Sequence, residues 1–257
     1  MRKTVLSGVA ILGLLLPAAS SQLQIAADRD KTLYDVFTLI AESDLYCSFF
    51  VLEEDPKLRI AAGETGGDKI LLADGDLFYF KADSDAGLTE GQTLMILEIG
   101  PAVKSLSQKK ALGPIAFRRG RARVVRFDKD YVAARVEKSC GPVTVGNALV
   151  PFAEKEGLLG RDLGFEGPLP AGEAGRIVFF DNDMLQIGSG QWALIDLGLE
   201  QGLHVGQQLT IAHRAVEGLP LEAIANAVVI DAGRLSSTIK ILSARAVIGL
   251  GDLLFLK

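Results

Sequence analysis

Short apolar runs recur along this chain, each opened by a glycine followed by a polar residue, which we call a Gly-polar pair. Glycine adopts positive φ without steric cost, so it suits the tight turn that leads into a strand. Short apolar runs after such turns are typical of buried or half-buried strands. The six Gly-polar pairs are Gly75-Asp76, Gly91-Gln92, Gly146-Asn147, Gly190-Gln191, Gly206-Gln207 and Gly251-Asp252.

The pairs fall into two sets of three, because the surrounding sequence is itself repeated. Asp74–Leu97 aligns without a gap to Ser189–Ala212, with identities mainly at turn glycines and strand interiors. The later stretch RARVVRFDKDYVAARVEKSCGPVTVGNALV aligns with NAVVIDAGRLSSTIKILSARAVIGLGDLLF when small gaps are allowed. This repeat is much longer than a solenoid unit, so it indicates two similar domains.

Paired strands within each copy favour a β-rich fold. RARVVRF and YVAARVEK flank a hairpin turn at residues 128–130, and AVVIDA and TIKILSA flank Gly233–Ser237 in the second copy. Apolar and polar residues alternate in YVAARVE and STIKILS, as in strands with one solvated face. We predict an all-β protein of two tandem small β-barrel or sandwich domains, with barrel closure favoured because it removes exposed strand edges.

One segment near the N-terminus shows helical spacing of its apolar residues. Asp30–Glu42 is predicted to form one short amphipathic helix of about three turns that packs on the first domain. Residues 45–52, LYCSFFVL, are predicted to form a strand. The apolar positions of the predicted helix are Leu33, Val36, Phe37 and Ile40.

The first residues have the features of a secretory signal peptide. Arg2 and Lys3 precede the uncharged apolar run Val5–Leu16, Pro17 breaks the run, and small residues follow. The run is too short for a spanning helix, and no cysteine follows it for lipid attachment. We therefore predict a signal peptide over 1–21 and an exported protein of the periplasm or cell envelope that does not span the membrane once processed.

Composition indicates where the domains begin and end, and the net charge limits the kinds of partner. Residues 22–153 are predicted to form the first β domain with its helix, 154–175 a linker rich in glycine and proline, and 176–257 the second β domain. The formal net charge is −5, and cleavage of the signal peptide makes it more negative. Such a charge argues against nucleic-acid binding.

The chain contains two cysteines, Cys47 and Cys140. In an exported protein an even number favours a disulfide, which would tie the segment before the first repeat to the end of the first domain. The alternative is two buried free thiols. A catalytic dithiol is not expected, because the sequence has no C-x-x-C motif.

A basic stretch in the first copy is the strongest local charge feature. Arginines two positions apart on a strand share a face, so Arg121 and Arg123 should project together. Such a face could bind phosphate or carboxylate groups of an envelope polymer or an acidic partner. The alternative is a solvated strand face paired with Asp128, Asp130 and Glu137. The candidate binding residues are Arg118, Arg119, Arg121, Arg123 and Arg126.

The sequence has none of the common catalytic signatures. It lacks the G-x-S-x-G elbow and a phosphate-binding Gly-Lys-Ser/Thr loop. His204 is predicted to be exposed, and His213 with Glu217 lacks the further ligands of a zinc site. We predict no enzymatic activity, no metal and no cofactor. Turn chemistry explains the triplets Asp83-Ser84-Asp85 and Asp181-Asn182-Asp183, and Trp192 is interpreted as a core residue.

The repeated motifs resemble the duplicated β-rich region of poorly characterised bacterial envelope proteins, several of which carry a LysM peptidoglycan-binding domain. The units also resemble the C-terminal domain of flagellar assembly protein T. This chain has no LysM segment, and four of its six Gly-polar pairs carry Gln or Asn instead of Asp. The matching stretches are Gly75–Phe80, Gly87–Ile96, Val136–Phe152, Ile187–Gly198, Gly202–Ile211 and Ser237–Leu256.

Together these features predict a non-enzymatic envelope module that binds or scaffolds through a protein or a peptidoglycan-type glycan. Two alternatives remain open: an extracytoplasmic hydrolase with an unrecognised site between the domains, and a structural subunit of an envelope assembly. A hydrolase would gather Asp181, Asp183 or His213 with another titratable group in a deep cleft.

Overall fold

The computed structural model describes residues 37–64, 70–82, 86–169, 172, 174–181, 184–214, 216 and 218–257. Thr38–Lys257 form one compact unit, and a separate unit, Met1–Phe37, is described only at Phe37. The predicted signal peptide and the first part of the predicted N-terminal helix therefore lie outside the described residues.

Strands account for most of the described chain. The elements of the first copy and its flanks are β1 (Phe37–Ile40), α1 (Glu42–Cys47), β2 (Phe49–Val51), β3 (Leu58–Gly63), β4 (Leu71–Leu72), β5 (Leu77–Phe80), β6 (Thr93–Lys104), β7 (Ala111–Phe127), β8 (Val132–Ser139), β9 (Val143–Thr144), β10 (Ala148–Pro151) and β11 (Leu158–Gly160). Those of the second copy are β12 (Gly175–Phe180), β13 (Gln186–Ile187), β14 (Trp192–Ile195), the 3-10 turn Leu199–Gln201, β15 (Gln208–His213), β16 (Glu222–Ala232), β17 (Ser237–Ala244), β18 (Ile248–Gly249) and β19 (Leu253–Leu256).

Two closed six-stranded antiparallel barrels dominate the structure. Barrel 1 has the strand order β3-β5-β8-β7-β6-β10, and β10 closes it by pairing with β3. Barrel 2 has the order β12-β14-β17-β16-β15-β19, and β19 pairs with β12. Corresponding strands of the two copies occupy corresponding places, so the predicted all-β fold with two repeated barrels is confirmed. The short strand β2 adds to β7 outside barrel 1.

The Gly-polar pairs form six turns of one design. Their glycines have φ between +81° and +93°. Each glycine N–H donates to a carbonyl of the neighbouring strand, and the next N–H donates to the carbonyl three residues earlier. In five pairs the polar side-chain oxygen also accepts the N–H three residues earlier, at 2.7–3.0 Å. Asp, Asn and Gln all supply such an oxygen, which explains why the position tolerates each of them.

Each barrel has its own apolar core. Leu94 and Ile96 of β6 point into barrel 1 with the phenyl rings of β5, and the equivalent Leu209 and Ile211 of β15 point into barrel 2. All four side chains are fully buried. Because alternate residues of a strand share a face, the repeated sequence pattern fills two separate cores in the same way.

The predicted helix over Asp30–Glu42 is wrong in its described part. Residues 37–40 form β1, which pairs with β11, and the short helix α1 begins only at Glu42. Aromatic and β-branched residues in FTLI favour a strand, and the Asp44 carboxylate accepts the Ala41 N–H at 2.8 Å at the helix start. The strand predicted over 45–52 is correspondingly shorter, because its first three residues belong to α1.

The segment predicted as a linker makes specific contacts with barrel 2. Within residues 154–175, β11 pairs with β1. The side chain of Gln208 on β15 donates to the Arg161 carbonyl at 2.7 Å and accepts the Leu163 N–H at 3.0 Å. These bonds hold part of the glycine- and proline-rich segment against the barrel.

Residues Thr38–Leu52, which we call the N-terminal segment, contact both barrels. Phe49 packs in one apolar cluster with Ile115 of barrel 1 and Leu194 of barrel 2. The Thr238 hydroxyl of barrel 2 donates to the Phe49 carbonyl at 2.6 Å. A second cluster joins the segment to β16 and comprises Leu39, Ile40, Leu45, Val228 and Ile230.

A disulfide links the N-terminal segment covalently to barrel 1. Cys47 at the end of α1 is bonded to Cys140 after β8, with the two Cα atoms 5.3 Å apart and 93 residues apart in sequence. The predicted bridge is confirmed, and the free-thiol alternative is excluded because the described residues contain no unpaired cysteine.

Two buried carboxylates add polar contacts to these packed surfaces. Asp44 accepts the indole N–H of Trp192 at 3.0 Å and pairs with the Lys240 ammonium at 2.7 Å. Trp192, on β14, is half-buried and packs with the apolar clusters of the N-terminal segment, not in the core of barrel 2. Asp196 of barrel 2 accepts the Ser105 hydroxyl of barrel 1 at 2.7 Å. Burial raises the pKa of Asp196, but hydrogen bonds led by the Ser107 backbone N–H bring it below its ordinary value.

Candidate functional site

Arg118, the first candidate binding residue, is a structural residue. Its side chain is 6% exposed and forms an ion pair with Asp231 of barrel 2. It also donates to the Ser48 hydroxyl at 3.0 Å, and its guanidinium lies 4.4 Å from the Phe50 ring centroid. These contacts surround the guanidinium on several sides, so Arg118 helps to hold the two barrels together.

Asp231 stands between two cations. The Lys155 ammonium lies 2.9 Å from Asp231 Oδ2, the same oxygen that Arg118 contacts. Burial raises the pKa of Asp231, but attraction to Arg118 and Lys155 outweighs burial and lowers the pKa below the ordinary value. The carboxylate is therefore charged and joins β16 both to β7 and to the segment after β10.

Three further candidate arginines are paired with carboxylates of barrel 1. Of the alternative pairing with Asp128, Asp130 and Glu137, the described residues form the pairs with Asp128 and Glu137 but none between Asp130 and these arginines, and Arg123 also donates to the Gly91 carbonyl at 2.9 Å. The pairs are Arg119 with Glu98 at 2.6 Å, Arg123 with Glu137 at 2.5 Å, and Arg126 with Asp128 at 3.1 Å.

Arg121 differs from the other four arginines. Among the described residues, its closest carboxylate contact joins Nη1 to Glu42 Oε1 at 3.5 Å, the outer limit of a hydrogen bond. Its Nε atom is enclosed by protein and has no hydrogen-bond partner. The side chain is 33% exposed, and the Glu42 side chain is 60% exposed. Most of the donor capacity of this guanidinium is thus unused by the fold.

Three depressions of the surface share Arg121, and we call them together the Arg121 groove. The small cavity, about 80 Å³, is lined by Glu42, Ser43, Tyr46, Cys47, Met95, Gly120, Arg121, Lys138 and Cys140. The long depression, about 850 Å³, is lined by Thr38, Ile40, Ala41, Glu42, Tyr46, Arg121 and residues 154–159. The third, about 610 Å³, is lined by Gln92, Thr93, Arg121, Arg123, Glu137, Phe152 and Glu154. Arg121 and Arg123 line one depression, as predicted for residues two apart.

Aromatic contacts fix the walls of the Arg121 groove. The Tyr46 hydroxyl donates to the Lys155 carbonyl and accepts the Lys155 N–H, both at 2.9 Å. The Tyr46 ring lies 4.9 Å from the Phe152 ring, and the Arg121 guanidinium lies 5.9 Å from the same Phe152 ring. Tyr46 is therefore anchored at both ends of its side chain and forms a rigid boundary between the small cavity and the long depression.

Gly120 allows β7 and β8 to approach closely beside Arg121. Its φ is +155°, and a Cβ at this position would lie 2.5 Å from the Lys138 carbonyl oxygen. The strand can therefore continue into Arg121 only with glycine at this position. The close approach places Arg121 and Lys138 beside the disulfide that lines the same small cavity.

Positive and negative groups are distributed unevenly along the Arg121 groove. Arg123 is paired with Glu137, and Lys155 shares Asp231 with Arg118. The small cavity carries Lys138 beside Arg121. The long depression carries three carboxylates, Glu42, Glu154 and Glu156, beside Arg121 and Lys155, and Glu42 also lines the small cavity. The groove thus has a basic end and an acidic stretch.

The other sequence candidates lie away from the Arg121 groove. His213 at the end of β15 has Nδ1 2.6 Å from Asp252 Oδ1, and His204 is exposed. Glu217 and the triplet Asp83-Ser84-Asp85 lie outside the described residues, as do the last two residues of the triplet that begins at Asp181. Among the described residues, no three His, Cys, Asp or Glu side chains are grouped closely enough to hold a metal ion.

Comparisons with known proteins identify no family for this chain. No protein-family model matches the sequence, and a search of curated proteins gives no match. None of the helices in the described part of the chain has the length and apolarity needed to cross a bilayer.

Sequence reasoning identified Arg121 but missed the residues that surround it. Tyr46 and Phe152 lie in apolar stretches that resemble strand interiors. The sequence did contain a signal for Asp196 and Asp231, because each is a single carboxylate directly after an apolar run, in WALID and AVVID. A charge in such a position is seldom buried without a partner.

Proposed function

We propose that this protein is an exported, non-enzymatic module of the bacterial cell envelope that binds a protein or glycan partner through the Arg121 groove. The observation that carries the proposal is the contrast among the five arginines. Four have close partners within the fold, whereas Arg121 has its nearest carboxylate at 3.5 Å and borders three depressions. An arginine with unused donors in a groove is a common element of binding surfaces.

Several features support a location outside the cytoplasm. The charged, apolar and small-residue regions at the N-terminus follow the order of a signal peptide. A disulfide between distant residues is typical of oxidising compartments. The resemblance to the duplicated region of envelope proteins, some with LysM domains, agrees with a role in the periplasm or at the cell envelope.

The asymmetry between the copies also favours binding by barrel 1. In barrel 2 the stretch equivalent to the arginine-rich strand reads AIANAVVID, which has no basic residue. The turns and cores that maintain the fold are shared by both barrels, but the arginine-rich strand belongs to barrel 1. Divergence of this kind is expected where one copy of a duplicated domain has acquired a partner.

No specific contact favours the hydrolase alternative. Among the described residues, His213 meets Asp252 of its own barrel, and no carboxylate from barrel 1 is recorded beside this pair. The described surface near Arg121 also contains no serine–histidine or cysteine–histidine pair that would act as a nucleophile and base.

Co-sedimentation across a salt series tests the proposed function. Purified protein is mixed with bare peptidoglycan sacculi and, separately, with an envelope extract. We expect capture that weakens as salt rises and that falls strongly in Arg121→Gln, while Arg126→Gln, whose arginine is paired with Asp128, behaves as the unmodified protein. Absence of capture in both arms, or equal capture by the two variants, would contradict binding through this groove.

A further inference from the structure

The Arg121 groove has the features of a site for one end of a polypeptide. Building on the proposed function, we infer that it binds the C-terminal segment of a partner protein, with the terminal carboxylate on Arg121 and a small apolar last side chain in the small cavity. The inference names the ligand class of that site, and each part of it follows from a different region of the groove.

The carboxylate is assigned to the basic end of the groove. A guanidinium presents a planar set of N–H donors that matches a carboxylate in two parallel hydrogen bonds. Glu42 is the present neighbour, but its contact is long at 3.5 Å and its side chain is 60% exposed, so it turns into solvent at little cost. Lys138 lines the same small cavity and adds a second positive charge.

The small side chain is assigned to the cavity beside the disulfide. Its walls include the Tyr46 ring, Met95 and the Cys47–Cys140 bridge, all with apolar surfaces. Its volume is about 80 Å³. An apolar protein cavity of roughly 150 Å³ accommodates benzene, so this one suits the side chain of alanine or valine and excludes an aromatic ring.

The preceding residues of the ligand are assigned to the long depression. It adjoins the small cavity, with which it shares Glu42, Tyr46 and Arg121, and its volume of about 850 Å³ is within the range of ligand sites. Glu154 and Glu156 line it, as does Lys155, which is paired with Asp231. These carboxylates favour lysine or arginine upstream of the ligand's last residue, so the expected ligand has a basic stretch followed by a small C-terminal residue.

A neutral glycan fits these observations less well. It presents no carboxylate for Arg121, and its polar rings do not match a small cavity with apolar walls. Recognition of a free carboxyl terminus is also an established mode of peptide binding by proteins. Glycan binding therefore serves as one outcome of the test.

Two pools of random hexapeptides, attached through their N-termini, test the inference. One pool ends in a free carboxylate and the other in a carboxamide. We expect the protein to enrich peptides from the free-acid pool that end in alanine or valine and carry upstream basic residues. Enrichment should fall about tenfold or more in Arg121→Gln, because a lost charge-assisted hydrogen bond changes affinity on that scale. Arg121→Lys should recover part of it, and Arg126→Gln should match the unmodified protein.

Each contrary result has a separate meaning. Equal enrichment from the two pools, preference for a large aromatic last residue, or no enrichment from either pool overturns the inference. If salt-sensitive capture by sacculi depends on Arg121 while neither pool is enriched, the proposed function stands and its ligand is peptidoglycan, not a protein C-terminus. The comparison of free acid with amide needs no variant, so it remains decisive even if Arg121→Gln folds poorly.

Discussion

Replacement of Asp231 by asparagine should destabilise the whole protein, because it leaves two cations near each other without their shared anion. The Asp231 side chain is 18% exposed, and that of its partner Arg118 is 6% exposed. Removing one member of a buried ion pair costs about 3–5 kcal/mol. Lys155 is 37% exposed and can turn towards water, and asparagine keeps one oxygen near Arg118, so we expect the lower end, about 3 kcal/mol.

Urea denaturation at neutral pH with the disulfide intact measures this change. For a chain of this size a loss of about 3 kcal/mol corresponds to a fall in Tm of roughly 6–12 °C. Asp130→Asn is the matched control, because Asp130 is exposed in the hairpin between β7 and β8. The double variant Arg118→Met/Asp231→Leu removes both charges and should recover most of the loss.

A loss below about 1 kcal/mol for Asp231→Asn, with unchanged denaturant dependence, would refute this account of the ion pair. The account would also be refuted if the double variant lost as much unfolding free energy as the two single variants at Arg118 and Asp231 lose together. In either case the attraction between Arg118 and Asp231 would contribute no more than an exposed pair, and the apolar clusters alone would hold the barrels together.

Three further predictions follow from the fold. The double variant Cys47→Ser/Cys140→Ser should lose about 4–5 kcal/mol of unfolding free energy in urea, because the bridge closes a long loop, and a loss below about 1 kcal/mol would contradict this. Gly190→Ala should lose about 1–2 kcal/mol of unfolding free energy, because Gly190 has a φ of +84°. Gly188→Ala in the same turn should change the unfolding free energy little, because Gly188 has no positive φ. Equal losses in the two variants would argue against backbone strain at Gly190. The pKa of Asp196 is lower in the folded state than in the unfolded state. Its charged form therefore adds to the free energy of unfolding above about pH 4, and this stabilisation is lost as the pH falls through the folded-state pKa. Asp196→Asn should therefore lower Tm at neutral pH, and its deficit should shrink below about pH 4; a constant deficit would contradict the titration.

The barrels were predictable because their signals are local. A glycine with positive φ, a side-chain oxygen after it and an alternating strand are all contained within a few residues. The equivalence of Gly75 with Gly190, and of Leu94 with Leu209, could therefore be read from the alignment of the copies. Closure followed because a short sheet with free edges is unfavourable.

The N-terminal segment and the binding site depend on contacts between residues far apart in sequence. The periodicity of residues 30–42 fits a helix, but pairing of β1 with β11 overrides it in the described part. The five arginines look alike in sequence, and the partner that separates Arg118 from Arg121 is Asp231, in the other copy. Ligand-binding capacity here is a matter of which charges the fold leaves unpaired, and local sequence does not contain that information.

The N-terminal segment has a consequence for the order of assembly. Asp44 is made early in synthesis, but its partner Lys240 lies 196 residues later. Barrel 1 contains all its own strands and its disulfide partner by the time Pro151 has emerged, so it can close alone, whereas the apolar side of α1 must wait for barrel 2. Contacts this distant form late and slowly. An incomplete chain would carry a folded first barrel with an uncovered apolar surface, which chaperones and proteases can recognise as unfinished.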